Sequence, residues 1–303
     1  MLMDKLVLFN NTTRNKLINK RSGESKFGEH VQMLTSISNI YEQLNNLDVT
    51  YVIIGFSEDV GVFANYGKTG ASKAWDSFIE VLLNIQSNDF TKANKVLLLG
   101  HLDFTEELSN IAKLNQSKKK DIQKARAIVK NIDTHVTHSI HQIVLAGKKP
   151  IIIGGGHNNA YGNIKGHSGN GFSYAYAEGF LKNYFVFGLH ENYTSDKLLK
   201  TLKKFKFIEY NTFETIEIRK ELKLKAEMQR ALSHIESSPF GIEIDCDAIE
   251  NIPSSAKTPS GFSVNKTRAF VSFFAKHENA RYLHICEAAP TKKTAQQVGK
   301  LSI

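Results

Sequence analysis

Two aspartates, Asp245 and Asp247, close an apolar run at the start of EIDCDAIENIPSSAKTPSGF, residues Glu243 to Phe262. On a strand, where side chains alternate with a period of two, both carboxylates project from one face. Like charges on a buried strand are costly, and a divalent cation is the usual means of offsetting them; at a frayed strand end both would meet water instead. His157 follows three glycines in GGGHNNAYG, Gly154 to Gly162, where tight turns bring the imidazole to the tip of the preceding apolar run. Alone, such a histidine reads better as a helix cap or core residue. Beside an Asp-x-Asp strand it completes a donor set of imidazole and carboxylates that suits manganese, zinc or iron.

These residues need elements to carry them. Apolar runs of strand length recur at Tyr51–Phe56, Lys95–Gly100, Pro150–Gly155, Tyr184–Leu189, Phe240–Cys246 and Tyr282–Ala288. Between them, apolar residues spaced three and four apart predict helices over Lys73–Leu83, Asp121–Ala146, Arg219–Ile235 and Asn265–Lys276. Near-continuous apolar strands alternating with amphipathic helices specify a mainly parallel sheet covered on both faces, a three-layer α/β/α fold. Residues 1–303 read as one domain, with 1–45 as a surface extension and first helix. In such sheets ligands gather at the carboxyl ends of the strands. Asp59, His101, Asp103, His157, Asp245, Asp247 and Glu287 all stand at such ends.

Composition narrows the classes. The chain has 303 residues, 41% of them apolar, enough for a large core, and no window approaches a membrane span. Its formal charge is +9, but the lysines are spread over helix-like segments as a solvated face, so we expect no nucleic-acid partner and no membrane. The field would favour an anionic small substrate. Cys246 and Cys286 lie inside apolar runs without metal-site spacing and read as buried free thiols of a reducing compartment, with the cytoplasm as the expected location.

In order along the chain, GGGHNNAYG, EIDCDAIENIPSSAKTPSGF and HICEAAP resemble three motif blocks of the ureohydrolase family, the arginases, agmatinases and formimidoylglutamases. The stretch IGFSEDVGVFANYGKTGASKAW resembles that family's first strand and glycine-rich loop, so the resemblance spans about Tyr51 to Pro290. It implies an arginase-like fold and a pair of manganese ions whose bridging hydroxide attacks a guanidinium or formimino carbon. By the same resemblance His157, Asp245 and Asp247 take metal-ligand places, and Glu287 matches the acid that faces the substrate's amidine nitrogens. Asn158, Asn159, Asn170, Ser168 and Ser260 are expected as polar substrate contacts from the rim. The partner implied is a small amidine, and the sequence leaves room for a homo-oligomer.

Two departures qualify the match. The family carries an Asp-x-His-x-Asp block on a strand between the Gly-Gly-Gly-His loop and the loop that here reads HSGNGF, yet only Asn163 to Gly166 separate Gly162 from His167. That is too short for a crossover helix and strand. Asp133 and His135 in IDTHVTH are no substitute, because residues two apart on a helix do not face the same way. Ser168 stands where arginases and agmatinases place a shuttling histidine, which brings the chain closer to formimidoylglutamases. The expected activity is therefore manganese-dependent cleavage of N-formimino-L-glutamate to L-glutamate and formamide. The alternatives are a guanidino hydrolase of arginase or agmatinase type or, if the block is truly lost, an inactive protein of the same fold holding one ion or none.

Overall fold

The computed structural model describes residues 4–160 and 181–301. The strands are β1 (Leu6–Leu8), β2 (Tyr51–Ser57), β3 (Val96–Asp103), β4 (Lys149–Ile153), β5 (Tyr184–Leu189), β6 (Ile208–Thr212), β7 (Phe240–Asp245) and β8 (Ala280–Cys286). Six of them form one sheet in the order β1-β3-β2-β4-β8-β7, parallel except for the antiparallel edge strand β1. β5 and β6 pair in parallel as a separate two-stranded sheet.

The helices are α1 (Asn11–Leu17), α2 (Ile40–Asn46), α3 (Val60–Ala64), α4 (Ala74–Leu82), α5 (Thr105–Ile111), α6 (Lys119–Leu145), α7 (Asp196–Lys204), α8 (Leu224–Ile235), α9 (Val264–Ala275) and α10 (Ala295–Leu301). They cover both faces of the sheet, because its central strands are apolar on both. On one face Ile53, Leu98, Ile153, Ile244 and Ile285 share a core with Trp75 and Phe78 of α4, Met228 of α8, Phe274 of α9 and Val298 of α10. On the other, Val52, Ile54, Leu97, Leu99 and Ile152 pack with Val129, Ile132 and Val136 of α6 and with α2 and α3. Each such aliphatic side chain contributes roughly 1.5–3 kcal/mol by leaving water. The three-layer α/β/α architecture expected from the alternation is the one observed.

Most elements sit within two or three residues of their sequence-derived limits. α6 ends as the periodicity requires: Gly147 takes a positive φ of 71°, and the Lys148 amide turns back onto the Ile143 carbonyl at 3.2 Å. The helix expected over Arg219–Ile235 starts later, at Leu224. Lys220 holds a left-handed φ of 57° and separates it from a π-helical turn at Glu214–Ile218. The N-terminal segment does more than wrap the surface, since its β1 extends the sheet through Leu6–Leu102 and Leu8–Gly100 pairing.

Candidate functional site

The pleat decides what gathers at the carboxyl edge. Ile242, Ile244 and Cys246 face the core shared with α8 and α9, so Glu243 and Asp245 project from the opposite face. In register beside them on β8, His284 pairs with Glu243 and Cys286 with Asp245. One face at this end of the sheet therefore carries two carboxylates, an imidazole and a thiol.

His157 reaches this group from the loop after β4. Gly154 and Gly155 adopt φ of 89° and 76°, and a Cβ on Gly155 would stand 2.3 Å from Asn159 Nδ2, so only glycine fits that turn. The loop is held from below by Glu58, wholly buried at the end of β2. Its Oε1 accepts from the Gly156 amide at 2.9 Å and Asn159 Nδ2 at 2.6 Å, and its Oε2 from the Val60 amide at 2.7 Å. Burial nonetheless pushes the Glu58 carboxyl up. Glu287, itself at a left-handed φ of 61°, accepts the His157 backbone N–H at 2.9 Å and donates its own amide to Gly155 at 3.0 Å.

The His157 ring then meets Asp245, with Nδ1 3.3 Å from Oδ2. Burial alone would lower the imidazole pKa, but the hydrogen bond to Asp245 and the charges of Asp245, Glu243 and Glu287 raise it to about 9. For Asp245, burial works upward and the His157 contact prevails, leaving the carboxyl below its usual value. Burial, then the Asp245 charge, raises Glu287 to about 7.

A cavity of about 960 Å³ opens from these residues, lined by His157, Glu243, Asp245 and Asp247 at one end. Its remaining walls are largely apolar and include the aromatic rings of Tyr184, Phe187, Phe262 and Phe270. Phe187 packs on Phe270 and Phe262, with ring centroids 5.1 and 6.1 Å apart. His190, at the end of β5, stacks on Phe213 at 4.5 Å and lies 3.6 Å from Glu214 Oε1.

The structure brings together only part of the expected set. His157 and Asp245 touch. Asp247 lines the same cavity, but its Oδ2 accepts from Ser255 Oγ at 2.9 Å and its Oδ1 from the Ala256 amide at 2.8 Å, so both oxygens are turned to its own loop. Glu287 is 4% exposed and holds the His157 loop through the backbone N–H of His157. Asn158 and Asn159 are corrected: Asn158 is fully buried against Gly61 and donates to Asn159 Oδ1 at 3.3 Å, Asn159 is buried and donates to Glu58 and the Gly156 carbonyl, and neither is a rim contact. Ser260 is exposed in the Thr258–Phe262 turn, its amide donating to Thr258 Oγ1. Ser168 and Asn170 lie outside the described residues.

Other strand-end polar groups serve structure. Asp59 accepts from the Gly70 amide and Ser72 Oγ, and Asp103 accepts from the amide of Thr105, the first residue of α5, at 2.9 Å. Sequence reasoning missed Glu243 and His284, which form a buried pair 2.8 Å apart, the second ring nitrogen lying 3.1 Å from the Gly154 carbonyl oxygen. The signal was present: each is the one charged or ionisable residue inside an otherwise apolar strand core, Ile-Glu-Ile and Leu-His-Ile.

A pair of manganese ions asks for more donors than the described residues bring to one point. Among them, the three-residue group whose donor atoms all lie within 4.8 Å of one another is His157, Glu243 and Cys286, not His157, Asp245 and Asp247. With Asp247 engaged locally, these residues do not fit the two-ion centre.

No protein-family model matches the chain. Among curated proteins it is similar to formimidoylglutamases of Streptococcus pyogenes, for example that of serotype M6, at 23% identity over 237 residues, 67% of this chain and 66% of that protein. The chain thus spans just under two thirds of the length of the relatives it matches. Among solved structures, formimidoylglutamase from Bacillus subtilis superposes with a TM-score of 0.70 at 15% identity, covering 94% of this chain and 91% of that one. Trypanosoma cruzi formiminoglutamase, solved with Mn2+, gives 0.64 at 16% over 86% and 95%. A hypothetical agmatinase from Burkholderia thailandensis gives 0.60 at 14% over 84% of each chain. The chain has the arginase fold, and its resemblance to the ureohydrolases, drawn from three motif blocks, is upheld by both sets of relatives.

Proposed function

We propose that the protein is a hydrolase of a C–N bond in a linear amidine, with N-formimino-L-glutamate as its substrate. The observation that carries this reading is the contact of His157 with Asp245 at the acidic end of a cavity on the carboxyl edge of an arginase-type sheet. The similarity to proteins named formimidoylglutamase supports the choice of substrate.

In this reading the amidinium lies against Asp245, whose carboxylate forms charge-assisted hydrogen bonds with its N–H groups, and Glu243 adds negative charge behind it. Water adds to the formimino carbon and gives up one proton to solvent; the bond from that carbon to the glutamate nitrogen then breaks as the adduct's hydroxyl becomes the carbonyl of formamide, its proton returning to His157 after that ring has protonated the departing amine. His157, protonated at neutral pH through its contact with Asp245, supplies the proton that the departing amine takes. Lys182 on the cavity wall offers positive charge to the substrate's carboxylates, whereas the ammonium of Lys266 there is paired with Glu217. Asp247 and Glu287 position the loops around the site.

The test is release of formamide from N-formimino-L-glutamate by the purified protein, beside urea release from arginine and agmatine. Formamide alone is the expected product, falling at least 100-fold in His157→Ala. Urea would move the assignment to a guanidino hydrolase. Neither product, with divalent metal supplied, would favour a second reading, an arginase-fold protein without activity. Two observations support that one: the missing Asp-x-His-x-Asp block and the closure of both Asp247 oxygens onto Ser255 and Ala256.

A further inference from the structure

We infer that His157, Glu243 and Cys286 form a site for a single thiophilic divalent cation, zinc in the first instance, in place of the manganese pair. Donor atoms from these three residues, on β7, at the end of β8 and on the loop after β4, lie within 4.8 Å of one another. Imidazole, carboxylate and thiolate together are zinc ligands, whereas manganese, at the weak end of the divalent series, prefers oxygen and rarely competes for sulfur.

Three further observations point the same way. Glu243 Oε1 is buried outside hydrogen-bonding geometry with any side chain, and the Tyr282 hydroxyl is the polar group of the described protein that interacts with this carboxylate. The other oxygen of that carboxylate is fixed by His284, which is anchored in turn to the Gly154 carbonyl. Asp245 stands against the His157 ring at 3.3 Å. Each nonsulfur donor thus has an outer partner that orients it, the arrangement in which protein metal ligands are normally held. Two of the three donors, those of His157 and Glu243, line the cavity, and the third, the Cys286 sulfur, lies behind them with its thiol donating to the Ile244 carbonyl at 3.6 Å; three protein donors leave a fourth position, as in catalytic zinc sites. Cys286 is wholly buried, as is Cys246, but Cys246 belongs to the core on the opposite face of the sheet and provides an internal control.

The inference shares the cavity with the hydrolase reading but gives His157 different work, since a ligating imidazole is unprotonated and the proton-donor role described above belongs to the metal-free site; binding is tested without turnover. The purified full chain is stripped with a chelator and titrated with cobalt(II), then with zinc(II) and manganese(II) in competition. One equivalent of cobalt should give a thiolate-to-metal charge-transfer band, removed by one equivalent of zinc and not by a tenfold excess of manganese. Cys286→Ser should abolish the band, Cys246→Ser should keep it, and Glu243→Gln should weaken zinc binding at least tenfold. Circular dichroism checks that each variant folds, and the wild-type titration decides the matter even where a variant does not. A bound cobalt with no such band, a band that survives Cys286→Ser, or displacement by equimolar manganese overturns the inference. A band without formamide release counts against the hydrolase reading alone; formamide release without a band counts against this one alone.

Discussion

One face of the main sheet is built in two ways. Over β3, β2 and β4 it presents Leu97, Leu99, Val52, Ile54 and Ile152 to α6, an apolar stripe met by an apolar helix. Over β8 and β7 the same alternation presents His284, Cys286, Glu243 and Asp245. The pleat is identical, so the difference lies in side-chain chemistry alone. The first half needs only shape, because each residue gains by leaving water. In the second half every group must find a partner, and the structure shows how far this succeeds: Glu243 with His284, Asp245 with His157, and one Glu243 oxygen outside hydrogen-bonding geometry with any side chain.

The contrast is open to breakage by substitution. The largest effect is expected in the polar half, where Glu243→Leu strands His284, wholly buried, without its carboxylate and should cost about 3–5 kcal/mol in urea unfolding. Adding His284→Leu should recover most of that loss; a double variant as unstable as the single would show that the pair matters for shape and not for charge. In the apolar half, Leu99→Ala should cost about 2–5 kcal/mol through the cavity it leaves, with no change in metal binding.

A pH series sharpens the comparison. In metal-free protein, the raised His157 pKa means that the protonated ring favours the folded state. Its contribution is complete below the unfolded value near 6.5 and disappears as pH rises through about 9. Thermal unfolding across that window should show a loss on the order of 2–3 kcal/mol, absent in Asp245→Asn. Glu287, also raised, acts as a penalty that grows as pH climbs from 4.5 to about 7, so the two slopes have the same sign in adjoining windows. The smallest effect belongs to Ser263, whose side chain caps α9 by accepting from the Lys266 amide at 3.3 Å. Ser263→Ala should lower the melting point by the equivalent of about 1 kcal/mol and leave the apolar half untouched.

The apolar half was largely legible in the sequence. Runs such as YVIIGF and KVLLLG have no other economical place than a buried parallel strand, and the three-and-four spacing through α6 matched its ends closely. β6 escaped notice because IEYNT is too polar to stand out as a buried run. The site was legible as residue types and only partly as geometry. The His157–Asp245 encounter follows from strand ends meeting at one edge. The diversion of Asp247 depends on the turn that brings Ser255 and Ala256 back to it, and Asn158 is buried because α3 passes directly over the loop, neither of which spacing reveals. The partnership of Glu243 with His284 required knowing that β7 and β8 are neighbours in that register.

β5 and β6 form a sheet of their own, and among the described residues no hydrogen-bonded ladder ties β5 to β7. The walls of the cavity are therefore joined through ring packing such as Phe187 on Phe262 and Phe270, contacts that slide at little expense compared with backbone pairing. Amide protons of β5 and β6 should accordingly exchange with deuterated solvent sooner than those of β4 and β8, and the aromatic wall can breathe while the acidic end keeps its shape.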